Sequence, residues 1–334
     1  MGIEPLTPGR FAAVLAAGAV LVAAAAAVAP LIGPARVDLA RAFAGAWPDA
    51  QMLFGVRLPR VLLALLAGGA LGIAGCLFQS LLRDSLATPD ILGVSSGASL
   101  GAVIAIVLGW QTAAGLPAVW LAAFAGAALT LALVLSIARE GRRLSSFTLL
   151  LAGVTINSVV LSLIMLIHNL STVNQSFAIV HWLMGGIDPL DAPTLAVLAA
   201  AVLPASFALC LYARHWNLMA AGEEWAASRG ASPSRLLLGG YVAGSFLTAS
   251  VTALTGPIGF VGLIVPHALR LVVGSDHRLL MPASFLFGAA FLALCDTVAR
   301  TLPAVEVPVS VVTALLGGPF FILVLRSRKR SLWL

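Results

Sequence analysis

Charged positions along this chain are sparse punctuation between long apolar runs. Segments free of Asp, Glu, Lys and Arg cover 11–35, 61–82, 91–138, 144–187, 192–213, 236–269, 279–295 and 307–325. A helix needs about 20 apolar residues to cross a hydrocarbon core. Two of the runs are long enough for two crossings and carry breaks: 91–138 around Trp110-Gln111 and Pro117, and 236–269 at Gly256-Pro257. The 144–187 run holds one span to about His168, then the polar stretch Asn169 to Gln175. Its remainder, about 176–187, is too short to cross and reads as a half-helix or interfacial segment. Ten spans are expected, an even number that puts both termini on one side.

Composition narrows the class. Of 334 residues, 60% are hydrophobic and 10% charged, with a mean hydropathy of +1.05. A water-soluble domain carries about 25% charged residues, so a soluble enzyme, a disordered chain and a secreted disulfide scaffold are excluded. The expected fold is all-α, a polytopic membrane protein, with 1–334 forming one transmembrane domain. Cys76, Cys210 and Cys295 each lie in apolar sequence and read as small core residues rather than a disulfide or metal site. Gly68, Gly69, Gly72 and Gly75 fall on one span, and Gly239, Gly240 and Gly244 on another, as close helix packing in lipid requires.

Charge sets the orientation. With an interior N-terminus, interior segments hold Arg10, Arg83, Arg139, Arg142, Arg143, Arg214, Arg229, Arg235, Arg270, Arg278, Arg326, Arg328, Lys329 and Arg330. The exterior keeps Arg36, Arg41, Arg57, Arg60 and Arg300. The positive-inside bias therefore places both termini in the cytoplasm. The 11–35 run is longer than the apolar region of a secretory signal and is read as a retained span. The single lysine, Lys329, follows Arg328, so the Gly-Lys-Ser/Thr of a phosphate-cradling loop does not occur. Energy must come from a partner or an ion gradient.

Three stretches resemble one family, the FecCD/BtuC-type permease subunits of ATP-binding-cassette (ABC) importers. They are Arg57-Leu58-Pro59-Arg60 leading to Gln79 and Arg83-Asp84-Ser85-Leu86-Ala87-Thr88-Pro89-Asp90-Ile91-Leu92-Gly93-Val94-Ser95-Ser96-Gly97-Ala98; Gly256-Pro257-Ile258-Gly259-Phe260-Val261-Gly262-Leu263-Ile264-Val265-Pro266-His267 with Arg270; and Val307-Pro308-Val309 through Gly317-Gly318-Pro319-Phe320-Phe321. Where family members read Arg-Asn-Pro-Leu-Ala, this chain has Arg83-Asp84-Ser85-Leu86-Ala87, which adds an acid and removes a proline. The resemblance implies a homodimeric permease of ten helices per subunit in a bacterial-type inner membrane. It also implies two cytoplasmic ATPase subunits carrying ATP-Mg, with no cofactor on this chain, and an extracytoplasmic binding protein. The cargo implied is a bulky metal chelate, an Fe(III)-siderophore first, with haem, cobalamin or an oxyanion as alternatives. Such a chain moves its cargo by alternating access and is not an enzyme.

Site residues follow. The longest interior connection, 214–235, is helix-favouring and punctuated by Gly222 and Gly230, a helix–turn–helix. The resemblance makes it the segment that docks on the ATPase, with Leu218, Met219, Gly222, Glu223, Glu224, Trp225, Arg229 and Gly230 as its coupling residues. Arg57, Arg60 and Arg300 border spans on the exterior face and are expected to pair with acids of the binding protein; Asp296, four residues before Arg300, offers an internal partner instead. Asn157, Asn169, Asn174 and Gln175 are pathway candidates, and His267 a gate candidate beside Pro266. His168 and His181 read as packing residues rather than haem ligands. From other classes, an ion-coupled secondary transporter would need midplane carboxylates, and Asp296 is the only acid well inside an expected span. A membrane scaffold would fit only if no ATPase binds.

Overall fold

Fourteen α-helices follow one another in the computed structural model, which describes residues 7–110, 112–113, 116–140, 143–301 and 307–331. They are α1 Pro8–Val28, α2 Leu39–Phe43, α3 Leu58–Leu81, α4 Val94–Val107, α5 Ala118–Ile137, α6 Ser146–Leu170 and α7 Val173–Leu183, then α8 Ala192–Leu211, α9 Ala213–Ala221, α10 Glu223–Ser228, α11 Pro233–Thr255, α12 Val261–Val273, α13 His277–Thr301 and α14 Val309–Ser331. Two minimal antiparallel ladders pair Thr112–Ala113 with Leu116–Pro117 and Arg139–Glu140 with Arg143–Leu144. Gln111 and Arg142, named above, lie outside the described residues, as do the side chains of Arg143, Arg326, Arg328, Lys329 and Arg330.

Among the described residues, seven helical stretches are long and apolar enough to cross a membrane, and α4, α12 and Val309–Ile322 of α14 are shorter apolar helices. Together they are the ten segments expected from the hydropathy pattern, with both double runs broken where expected. The 144–187 run likewise divides into a span, α6, and the 11-residue α7. The Thr172–Gln175 capping box starts α7, Thr172 Oγ1 accepting from Gln175 N at 3.4 Å while Gln175 Oε1 accepts from Thr172 N at 2.9 Å.

The short helices are short for a visible reason. At 1.5 Å per residue, the 14 residues of α4 rise about 21 Å, less than the core of a bilayer. Irregular chain leads into α4, a 3-10 turn at Pro89–Leu92 and Gly93 in the left-handed region at φ 84°. Non-helical backbone at such depth persists only where protein covers its polar groups. Here Ala87, Thr88 and Pro89 are buried and the Tyr241 hydroxyl donates to Leu92 O at 3.1 Å. The departure from the family motif is absorbed at this connection: Arg83 takes a positive φ of 52°, and the Asp84 carboxylate accepts from Leu86 N at 2.9 Å. A second irregular stretch precedes α12, where Phe260 holds φ at 69°.

The core lies around α3, whose apolar window is 89% buried, against α11, α12 and α13. The glycine stripe explains the depth. A Cβ on Gly68 would overlap the carbonyl of Gly288, one on Gly72 that of Ser284, and one on Gly75 that of Gly262. Backbone thus meets backbone along one face of α3, the association that lipid demands in place of a hydrophobic drive. Gly240 and Gly244 of α11 admit Trp216 and Phe78, whereas Gly239 faces open space. Cys76 and Cys295 are buried, Cys210 is half-buried, and all three are free.

Candidate functional site

The 214–235 connection folds as two short helices, α9 and α10, broken at Gly222. Gly222 sits at φ 136°, ψ 149°, a conformation open only to glycine. Trp216, Met219 and Ala226 turn inward, and the Trp216 indole donates to Leu209 O at 2.9 Å. Leu218 is half-buried and Gly222 buried. Met219 is fully buried, which corrects its assignment to a partner surface: it is a core residue holding α9 down. The outward face carries Glu224, Trp225, Arg229 and Gly230. Trp225 is 58% exposed with the Arg229 guanidinium 5.3 Å from its ring centroid.

Two hydrogen-bonded joints fasten this segment to different spans. Asn217 of α9 donates to Asp276 Oδ1 at 2.9 Å, and its own carbonyl accepts from His277 N at 2.8 Å, with His277 Nδ1 at 2.7 Å. Asp276 also binds Arg278, and that guanidinium holds the Asp276 carboxyl well below the usual carboxylate range, at about 2. Glu223 of α10 turns inward, where its carboxylate accepts from the Ser146 hydroxyl at 2.7 Å at the start of α6. Sequence reasoning had no means of finding Ser146, Asn217 or Asp276 as partners, because each pair is 59 or more residues apart.

At the far end of α13 from the Asn217 joint, the three candidate docking arginines are engaged inside the protein. Arg57 is 6% exposed and donates to the carbonyls of Pro30, Leu31 and Ala35. Arg300 is 7% exposed and donates to Ala29 O and Thr297 Oγ1. These carbonyls follow the C-terminus of α1, where cationic groups complement the helix dipole. Arg60 grips Asp296 with both Nε (3.0 Å) and Nη2 (2.8 Å), while Arg300 Nε lies 3.5 Å from Asp296 Oδ2. Asp296 is completely buried between them. Arg57 and Arg300, two of the arginines expected to meet a binding protein, thus spend donors on buried carbonyls within this chain. Arg36 is exposed, and Arg41, 57% exposed, reaches Asp49 at 3.3 Å; of the five arginines expected outside, these two are the exposed ones.

The pathway candidates separate. Asn157, half-buried on α6, lines a cavity of about 790 Å³ with Asp90, Ser95, Ser99, Phe260 and Ser310. Asp90 accepts from Ser95 Oγ at 2.7 Å there. Asn169 and Asn174 are exposed and do not line it. Gln175 is a capping residue whose amide also donates to Val107 O at 2.9 Å, which ties α7 to the end of α4. His267 is 5% exposed and meets the Phe320 ring edge-on at 6.3 Å between α12 and α14; it does not line the cavity, and its place is in packing. His181 stacks on Phe177. One signal went unread: Thr155, Ser158 and Ser162, spaced three and four apart, form an exposed hydroxyl stripe on α6, each bonded back to its own helix.

Comparison with known proteins matches residues 11–327 to the FecCD transport family. The chain is 42% identical over 287 residues to the cobalamin import system permease protein BtuC of Halobacterium salinarum, covering 84% of this chain and 75% of that one. It is 40% identical over 295 residues to the vitamin B12 import system permease protein BtuC of Klebsiella pneumoniae (86% and 87%). It is 37% identical over 279 residues to the hemin transport system permease protein HmuU of Yersinia pestis (82% and 83%). A solved metal-chelate type ABC transporter in an inward-facing conformation superposes with a TM-score of 0.83 at 30% identity, covering 95% of this chain and 99% of that one.

Proposed function

Because the chain belongs to the FecCD transport family, we propose that it is the permease subunit of a binding-protein-dependent ABC importer that moves a bulky metal chelate into the cytoplasm. ATP-Mg is then hydrolysed on a partner subunit, while this chain binds no cofactor, performs no covalent chemistry and alternates access. Both termini face the cytoplasm by charge bias, so α9–α10 meets the ATPase and the arginine-rich end of α13 lies outside.

The observation that carries this reading is the chemistry of α9–α10: a glycine-broken helix pair whose inner face is anchored in the bundle and whose outer face presents Trp225, Arg229 and Glu224. An exposed tryptophan and arginine beside an acid suit a protein partner. The hydroxyl stripe of α6 supports assembly as a pair of identical subunits around an axial path. Exposed polar groups on a span belong against a second subunit or a wet channel rather than lipid. Docking of the binding protein falls to the exposed Arg36 and Arg41, with Arg60 at the margin at 13% side-chain exposure.

For cargo, the relatives that transport cobalamin and hemin put a tetrapyrrole-type metal chelate first. The Fe(III)-siderophore expected from the sequence is the second reading, favoured by the likeness to a metal-chelate type transporter. Uptake into liposomes by the reconstituted transporter, with cyanocobalamin, hemin and a ferric siderophore each delivered by its binding protein, tests the choice. Accumulation of cyanocobalamin or hemin sustains the first reading; accumulation of the siderophore alone replaces it.

A further inference from the structure

The coupling segment is attached to the bundle by two joints of different kinds, and the two spans they reach differ in how firmly they are held. α9 is tied through Asn217 to Asp276 and His277, at the head of α13. The apolar window of α13 is 67% buried and packs its backbone on that of α3 through Gly288 and Gly68. α10 is tied through Glu223 to Ser146, at the head of α6, whose window is only 22% buried. Between the two joints stands Gly222, in a backbone conformation that no other residue adopts without strain.

Glu223 also meets an electrostatic need of α6. A helix N-terminus carries partial positive charge and is stabilised by an acid in or near its first turn. The first turn of α6 contains no acid of its own. The carboxylate arrives instead from α10, 77 residues on, and accepts the hydroxyl of Ser146 at a distance typical of a charge-assisted bond. Glu224, the next residue, points outward. The two adjacent acids therefore have opposite tasks.

We propose that Glu223 is a positioning residue that joins α10 to the N-terminus of α6, so that displacement of α10 about Gly222 moves the pathway helix while α9 stays with α13. The inference rests on α9–α10 being the ATPase-coupling segment and adds the route by which motion leaves it. A partner that pushes α10 encounters one arm on a span deeply packed within this chain, α13, and one on a span this chain packs far less, α6. α6 carries Asn157, which lines the cavity, and the exposed hydroxyl stripe.

The test uses the complete transporter, permease with its ATPase and loaded binding protein, in liposomes. Three quantities are read: co-purification of the ATPase, ATP hydrolysis, and cargo accumulated per ATP hydrolysed. Glu223→Ala and Ser146→Ala are each expected to co-purify with the ATPase and to lower cargo per ATP by about tenfold, the weight of one hydrogen bond to a charged group. The double variant should be no worse than either single one, because both remove the same bond. Glu223→Gln, whose amide carbonyl still accepts, should recover most of the ratio, and Glu224→Ala should reduce co-purification instead. Should Glu223→Ala fail to fold, Ser146→Ala reads the same bond from the other side. Loss of ATPase binding in Glu223→Ala, or a wild-type ratio in Ser146→Ala, overturns the joint. A wild-type chain that assembles with no ATPase overturns the coupling reading beneath it, which is a separate failure.

Discussion

Replacing Asp296 by Asn should destabilise the protein far more than any exposed charge change. The carboxylate is fully buried, holds Arg60 through Nε and Nη2, and lies 3.5 Å from Arg300. Asn keeps the shape but removes the charge that Arg60 grips and that Arg300 approaches, in a site where Asp296 has no exposure to solvent. Breaking a buried ion pair from one side costs about 3–5 kcal/mol. In detergent-solubilised protein followed by size-exclusion after heating, the midpoint should fall on the order of 10 °C. Asp296→Asn combined with Arg60→Met should regain part of the loss, because it also removes the cation that Asp296 grips. A single variant that melts within about 1 °C of wild type would refute the reasoning.

Other outcomes follow from the same geometry. Gly75→Ala places a methyl group against the Gly262 carbonyl and should cost about 1–3 kcal/mol and much of the folded yield, whereas Gly239→Ala, facing open space, should be neutral by the same size-exclusion assay. The Asp276 carboxyl is held at about 2, so its contribution is complete above the ordinary carboxylate value near 4 and is lost as pH falls toward 2. Limited acid proteolysis should therefore open 213–230 over that window in wild type, and Asp276→Asn should be open already at neutral pH. Trp225→Ala removes the most exposed aromatic of α10 and should weaken ATPase binding by about 2 kcal/mol, roughly thirtyfold in Kd by titration of the two purified subunits.

The spans were legible because membrane crossing is a matter of length and apolarity, both linear along the chain. The breaks at Pro117 and Gly256-Pro257 were legible for the same reason, and the glycine stripe of α3 announced close packing before its partners were known. What the sequence could not disclose was direction. Arg57 and Arg300 sit at the expected end of their spans, but charge bias names a side of the membrane, not the carbonyls 22 to 271 residues away that receive them. The helical spacing of Asp296 and Arg300 suggested their pairing; the stronger grip by Arg60, 236 residues distant, required the fold. Met219 and Glu223 read only as coupling residues, and it takes the packing of α9 and the position of α6 to show that both turn inward. In α4 and α12 the apolar runs were longer than the helices, since irregular backbone precedes each of them.

The importer reading is tested most directly by ATP hydrolysis in liposomes holding this chain and a candidate ABC ATPase, with candidate loaded binding proteins added one at a time. One loaded protein should stimulate hydrolysis, and Trp225→Ala with Glu224→Ala should weaken that response. If the chain neither binds the ATPase nor changes its rate with any loaded protein, the importer reading fails and a gradient-driven transporter takes its place.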